Sequence, residues 1–440
     1  MEPLSKEVKN EFHLQTTPMP RLNTTPIPST SNVALQRRTS AGRRSSMISW
    51  ANMTALRRSV RHYVTGDSPG ISEWVDRQSN DLSVVLRFFE SVLRTFGALI
   101  FVNNVWSGVL FLLACMIHNQ FSTLLGLLGI GIAYAVGILM NVPPDRLRNG
   151  VATFNGFMVA SFVAANAEPF HGVVWNPWLL FPALFFSIIS TLIKIALHSV
   201  LQHVKLPALN LPFSITTLCF LASQGSTVTP LFPADLFSHP QLANSSTQTY
   251  AGSEIARAVF FSISNIYGCD NVTSVCLAWI AVFIASPLLF TMCLLGSCTG
   301  TGIAVVLGVA ARELATGMWS FNSLLVCGSV GGFFYVWNPF SCALAIFAAA
   351  FACVIAGTLY HVLGPVSLPY QALPLFLTDA IFLLALAAYK SRWFVRVEFS
   401  EIRYPEHHRR AHLERLKVKN AAAPASSNGN VSNGNHIHVA

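Results

Sequence analysis

The sequence predicts an all-α integral membrane protein built from two inverted repeats, and three observations carry that prediction. Charge is scarce: the 440 residues are 52% hydrophobic and only 11% charged, with a mean hydropathy of +0.51, whereas soluble domains are about 25% charged. The net positive charge is also confined to the ends. Lys+Arg number 13 in residues 1–96, 6 in 97–389 and 9 in 390–440, against 8, 7 and 4 Asp+Glu, so the three spans carry +5, −1 and +5. Third, short motifs recur in one order at nearly one spacing.

These observations exclude several classes. A nucleic-acid binder needs basic residues on a folded surface, and the 97–389 span has almost none, so no nucleic-acid partner is expected. No acid–base pair, nucleophile triad or metal-ligand cluster recurs within the apolar stretches, so neither an enzyme nor a cofactor or metal site is expected. The nine cysteines form no CxxC pair and are odd in number, which suggests neither a zinc site nor a disulfide framework. They read as small apolar groups in helix packing. Residues 1–30 lack a basic stretch followed by an apolar one, so no cleavable signal peptide is expected.

Apolar stretches lie near 97–117, 121–142, 151–166, 178–200, 211–224, 257–284, 286–308, 318–338, 339–363 and 371–389. A bilayer core needs about 20 apolar residues per helix. Several stretches are shorter than that or are broken by Pro, Gly or Asn, the pattern of discontinuous helices that line a cavity.

The recurrences are specific. FVNN at 101–104 resembles YGCDN at 267–271, placing Asn103 and Asn104 opposite Asp270 and Asn271; Asn104 and Asn271 are 167 residues apart. TFNGFMVAS at 153–161 resembles SFNSLLVCG at 320–328, and Asn155 and Asn322 are also 167 apart. LPALNLPF at 206–213, with Pro207 and Pro212, resembles LPYQALPL at 368–375, with Pro369 and Pro374; the first prolines are 162 apart. The organisation expected is a disordered cytoplasmic tail (1–70), an amphipathic interfacial helix (71–96), repeat one (97–225), an extracellular loop (226–256), repeat two (257–389) and a cytoplasmic tail (390–440).

Topology follows from charge. Both basic tails are expected in the cytoplasm of a multi-pass plasma-membrane protein. Two halves of five stretches then run in opposite senses, which places a functional site near the bilayer midplane where the halves meet. The loop contains the sequon Asn244-Ser245-Ser246, an expected glycosylation site. In the N-terminal tail, Arg37-Arg38-Thr39-Ser40 and Arg43-Arg44-Ser45-Ser46 match the RRxS pattern of basophilic kinases, making Ser40 and Ser46 candidate phosphorylation sites. The same stretch also reads as a polybasic segment held to the anionic lipid bilayer.

The motifs FVNN, FN, LPxxxLPF, IYGCDN, W-x-FNS and the second LP motif together resemble the urea transporter family of vertebrates and bacteria, from about Leu86 to Pro405. The resemblance implies ten transmembrane helices plus two re-entrant pore helices, a homotrimer, and one pore per protomer that conducts urea passively down its gradient. Urea is small, planar and neutral, with four N–H donors and one carbonyl acceptor. Removing its water costs several kcal/mol unless other partners replace it, and weak binding at several places lets it leave again.

Carried over by motif, Phe101 and Phe321 would form an outer aromatic slot, Phe154 and Ile266 an inner one, and Met158 and Leu325 the narrowing between them. Asn103, Asn104, Asp270 and Asn271 are polar groups within apolar runs, read either as functional or as caps at helix breaks. Asp270 is expected to bond to neighbouring backbone N–H groups. The chain departs from the family pattern where each LP motif usually has Thr: the residues here are Asn210 and Ala372, and the final Phe of the second motif is Leu375. Ala98 and Asn265 stand where the family usually has Gln. The lining is therefore asymmetric and less polar, which keeps open another small neutral solute such as water, ammonia or a larger amide or amine. An ion-coupled transporter would draw on Asp270, Asp379, Glu254 or Glu313.

Overall fold

The computed structural model describes residues 59–60, 62–171, 179–222, 249–366, 368–387, 391, 393–398 and 403–422. Ser40, Ser46 and Asn244 lie outside them, as do most of the N-terminal tail, the end of the C-terminal one and most of the 226–256 loop. The regular structure of the described residues is helical, apart from one isolated bridge between Tyr335 and Arg396. Four helices are long and apolar enough to cross a bilayer: Gln120–Leu139, Leu180–Val204, Pro287–Val306 and Pro339–Val366. Six more are apolar but shorter, from Val105–His118 to Leu373–Ala387. The chain is thus a helical membrane protein.

The amphipathic run expected over 71–96 is two helices, α1 (Pro69–Asp76) and α2 (Asn80–Ala98). They break at Ser79, whose ψ of 153° is extended. Nor does α2 lie wholly on a surface. Glu90 and Arg94 are 3% and 2% exposed, and their ion pair at 2.9 Å is enclosed by protein. Arg94 also donates to Asp67 O and Ser72 Oγ, both at 3.0 Å, and Arg148 reaches the other Glu90 oxygen at 2.8 Å. A buried pair of charges is tolerable only when its remaining donors and acceptors are also taken, and here they are. Residues 62–70 of the segment expected to be disordered are helix and turn, with Asp67 tied to α2 through Arg94.

The remaining chain places α3 (Val105–His118), α4 (Gln120–Leu139), α5 (Pro144–Arg148), α6 (Phe154–His171), α7 (Leu180–Leu201) and α8 (Leu211–Ala222) before the 226–256 loop. The helix α9 (Gly252–Phe261) begins inside that expected loop, and α10 (Ser264–Tyr267), α11 (Val272–Ala285), α12 (Pro287–Val306), α13 (Ala311–Leu314), α14 (Phe321–Gly328), α15 (Pro339–Leu363) and α16 (Leu373–Ala387) follow it. The last, α17 (Pro405–Ala422), falls in the expected C-terminal tail. Its Glu406 accepts from Leu288 N at 2.8 Å and from Ser286 Oγ, so the start of this helix caps the start of α12.

Helix starts show the same bonds at the same spacing. Asn104 caps α3 by accepting from Ser107 N at 3.0 Å, and Asn271 caps α11 by accepting from Ser274 N at 2.8 Å. The two capped helices then exchange bonds. Ser107 Oγ donates to Ala281 O at 2.7 Å, and Ser274 Oγ donates to Ala114 O at 2.6 Å. Each member of the first bond lies 167 residues from its counterpart in the second, and such a reciprocal contact is what a two-fold relation produces. The α4–α6 and α12–α14 crossings are equally close. A Cβ on Gly129 would strike the Gly156 carbonyl, and one on Gly296 the Ser323 carbonyl, the small-residue packing typical of membrane helices.

The two caps differ in load. Asn104 Nδ2 also donates to Val64 O and Gly66 O, both at 2.7 Å, whereas Asn271 Nδ2 has only His118 Nδ1 at 3.4 Å. Replacing Asn104 with Ala should therefore cost about 2–3 kcal/mol, and replacing Asn271 with Ala about 1 kcal/mol. Equilibrium unfolding in detergent would measure both, and equal losses would contradict the assignment.

Candidate functional site

Each LP motif ends in a left-handed turn followed by a short helix. Leu209 has φ 43° and Gln371 φ 48°; Pro212 and Pro374 then sit in the first turns of α8 and α16. Proline suits this position because its missing N–H would have no intrahelical acceptor there. Such a break strands one carbonyl and one N–H in an apolar core, where each needs a partner. Asn155 supplies both partners in the first half: Nδ2 donates to Leu209 O at 3.4 Å and Oδ1 accepts from Phe213 N at 3.1 Å. Asn322 repeats this in the second half, with Gln371 O at 3.0 Å and Leu375 N at 3.3 Å. Pro207 and Pro369 precede the turns in non-helical chain.

The residues singled out as lining fall into one apolar assembly. Phe154, Ile266, Phe321 and Leu325 are buried in it, and Ala98, Phe101 and Met158 pack against it. Asn210 and Ala372, directly after the two left-handed residues, are 5% and 3% exposed. Phe101 has φ 62°, and its ring meets those of Phe333 and Phe334 at centroid distances of 4.8 and 6.1 Å. Asn265 Nδ2 donates to Thr316 O at 2.9 Å and Phe261 O at 3.3 Å, so its donors are engaged with backbone.

Several contacts here join motif residues to side chains outside the motifs. Thr217 Oγ1 lies 2.7 Å from both Gln371 Oε1 and Phe213 O, joining α8 to the second LP turn, while Gln371 Nε2 is buried without a partner. Lys194 Nζ lies 3.7 Å from the centre of the Phe154 ring, a cation–π contact. Among the acids, Asp270 is exposed. Its N–H donates to His118 Nδ1 at 3.3 Å, and its carboxylate makes none of the expected bonds to neighbouring N–H groups. Glu254 caps its own helix through Ala251 N at 2.9 Å. The wholly buried acid is Asp379.

The geometry is that of paired breaks in apolar helices, each closed by an asparagine, around a shared core. The urea transporter family model matches residues 89–387. The chain belongs to the urea transporter family. It is similar to urea transporter 1 of sheep (Ovis aries), 28% identical over 356 residues that cover 81% of this chain and 90% of that protein. It is also similar to urea transporter 1 of mouse (Mus musculus), 28% identical over 359 residues covering 81% and 91%. As a member of a transporter family, the chain is not an enzyme.

In this family member Asn103 is held from the N-terminal side, because Arg94 Nη1 donates to its Oδ1 at 2.7 Å. The same arginine holds Asp67, which is 14% exposed at its side chain. Burial pushes the Asp67 carboxyl up to about 6, against the pull of Arg94 and Arg403. Asp76 goes the other way, held below its usual range chiefly by its hydrogen bond from Arg148. With Asp67 raised, the folded state binds the proton more tightly than the unfolded chain, whose Asp titrates near about 3.9. The stabilisation is complete below about 4, is lost between about 4 and 6, and is flat above. Hydrogen-exchange protection of residues 62–76 should therefore rise on acidification from pH about 7 to about 5. Asp67→Asn should remove that rise, and an unaltered rise in the variant would assign it elsewhere.

Proposed function

We propose that the protein is a passive, channel-like facilitator that carries urea down its gradient through one pore in each protomer. In this reading ten transmembrane helices and two re-entrant pore helices form two inverted repeats. The protein is a homotrimer in the plasma membrane with both tails cytoplasmic, glycosylated at Asn244 and open to a basophilic kinase at Ser40 and Ser46. The observation that carries the reading is the pair of breaks closed by Asn155 and Asn322, within a chain that matches the urea transporter family over 89–387. Discontinuous helices are the membrane's means of presenting backbone oxygens to a polar solute. Reciprocal bonding of Ser107 and Ser274 supports the inverted relation of the halves.

Phe101, Phe154, Ile266 and Phe321 are the proposed slot walls, and Met158 and Leu325 the narrowing. Asn210 and Ala372 flank the middle of the path. Asn210 brings a carbonyl and two N–H donors, while Ala372 brings no polar group. This imbalance favours a second reading, in which the same path passes another small neutral solute better than urea.

Stopped-flow shrinkage of vesicles containing the full chain tests both readings. Urea flux should exceed that of empty vesicles. Asn210→Thr combined with Ala372→Thr should raise it by about tenfold, the rate equivalent of one added hydrogen bond. Flux no faster than in empty vesicles would remove the urea reading, and unchanged selectivity among urea, its analogues and water would show that neither position faces the solute.

A further inference from the structure

Ser329 and Asp379 meet in the second half of the chain, outside every recurring motif. Ser329 follows directly on α14 and opens a kinked turn, Ser329–Phe333, whose helical course is broken at Gly332 (φ 179°, ψ −13°). It lies four residues beyond Leu325 and eight beyond Phe321, on the same helix face. Asp379 lies four residues beyond Leu375 and seven beyond Ala372 in α16. Both side chains are fully buried. Asp379 Oδ1 is 2.8 Å from Ser329 Oγ, and Asp379 Oδ2 is buried with no partner. Among the described residues Asp379 forms no ion pair.

Counting protons decides what this contact is. Ser329 Oγ also lies 2.9 Å from Val326 O. A carbonyl and an ionised carboxylate both only accept, and a serine hydroxyl has one proton to give. With an ionised Asp379, one of the two contacts lacks a donor. With a protonated Asp379, both bonds are made: the acid O–H donates to Ser329 Oγ, and Ser329 O–H donates to Val326 O. Protonation also removes an unpaired charge from an apolar site, where it would cost more than any other buried group.

We propose that Asp379 is a proton-binding site, occupied at neutral pH, whose proton fixes the Ser329–Phe333 turn and through it the ring of Phe101. The link is short. Phe333 ends the turn and Phe334 follows it, and both rings lie against Phe101. Loss of the proton turns the serine hydroxyl toward the carboxylate, leaves Val326 O at the foot of the turn with only the Ser329 N–H, and loosens the aromatic contact. The helices packed on α16, namely α8, α14 and α15, carry the thiols of Cys219, Cys327, Cys342 and Cys353. Tyr335 and Arg396 bond to the carbonyls of Phe382 and Leu383, one turn beyond Asp379.

Infrared difference spectra of the full chain against Asp379→Asn read the proton directly. The parent should show the carbonyl stretch of an un-ionised carboxylic acid, absent from the variant. Carboxylate stretches at neutral pH would overturn the proposal. Flux is the second readout, and it rests on the urea reading above; the infrared result stands even if urea flux is absent. The amide of Asp379→Asn keeps a donor toward Ser329, so its neutral-pH flux should stay within about twofold of the parent. The parent's flux should fall as pH is raised, while that of the variant should not. A loss of about tenfold in the variant, or a parent profile as flat as the variant's, would overturn the control of Phe101 by this proton.

Discussion

A helix interrupted inside an apolar core leaves backbone groups that no water can reach, and each must find a partner within the protein. The described structure is organised around that constraint. Asn104 and Asn271 close the starts of α3 and α11, and Asn155 and Asn322 close the turns of the two LP motifs. Asparagine suits this work because its amide offers one acceptor and two donors at neutral charge. A carboxylate in the same place would accept only and would carry a charge into the core.

Much of this was legible in the residues. Polar side chains inside apolar runs, recurring at 167 residues, mark the breaks, and the prolines of the LP motifs mark where the next helices begin. The family resemblance drawn from those motifs agrees with the match over 89–387. What a linear reading could not supply was partnership across distance. Arg94 reads as one of several charges on an amphipathic face, yet it is enclosed by Glu90, Asp67, Ser72 and Asn103. Asp270 stands inside a motif and is exposed, while Asp379 stands outside any motif and is wholly buried. Neither outcome follows from hydropathy, because both acids stand beside long apolar stretches.

The two halves share a plan but not its details. Gln371 takes the place of Leu209, and its side chain meets the hydroxyl of Thr217 from the first half. Lys194 covers the ring of Phe154, while Phe101 is flanked by the rings of Phe333 and Phe334. Such differences fall on side chains near the breaks, whereas the backbone bonds that close the breaks are kept in both halves. Stability constrains the second set more tightly, since a stranded buried amide or carbonyl costs about 1–3 kcal/mol.

The exchange of bonds between α3 and α11 also has a consequence in time. Ser107 and Ala281 are 174 positions apart, and Ser274 and Ala114 are 160 apart. During synthesis, the first half enters the bilayer with Ser107 and the Ala114 carbonyl still waiting for a segment the ribosome has not made. At about 5–20 residues per second, that wait lasts on the order of ten seconds. The nascent first half must survive it with its interface open, so this is the interval in which an insertion chaperone or a degradation pathway would act.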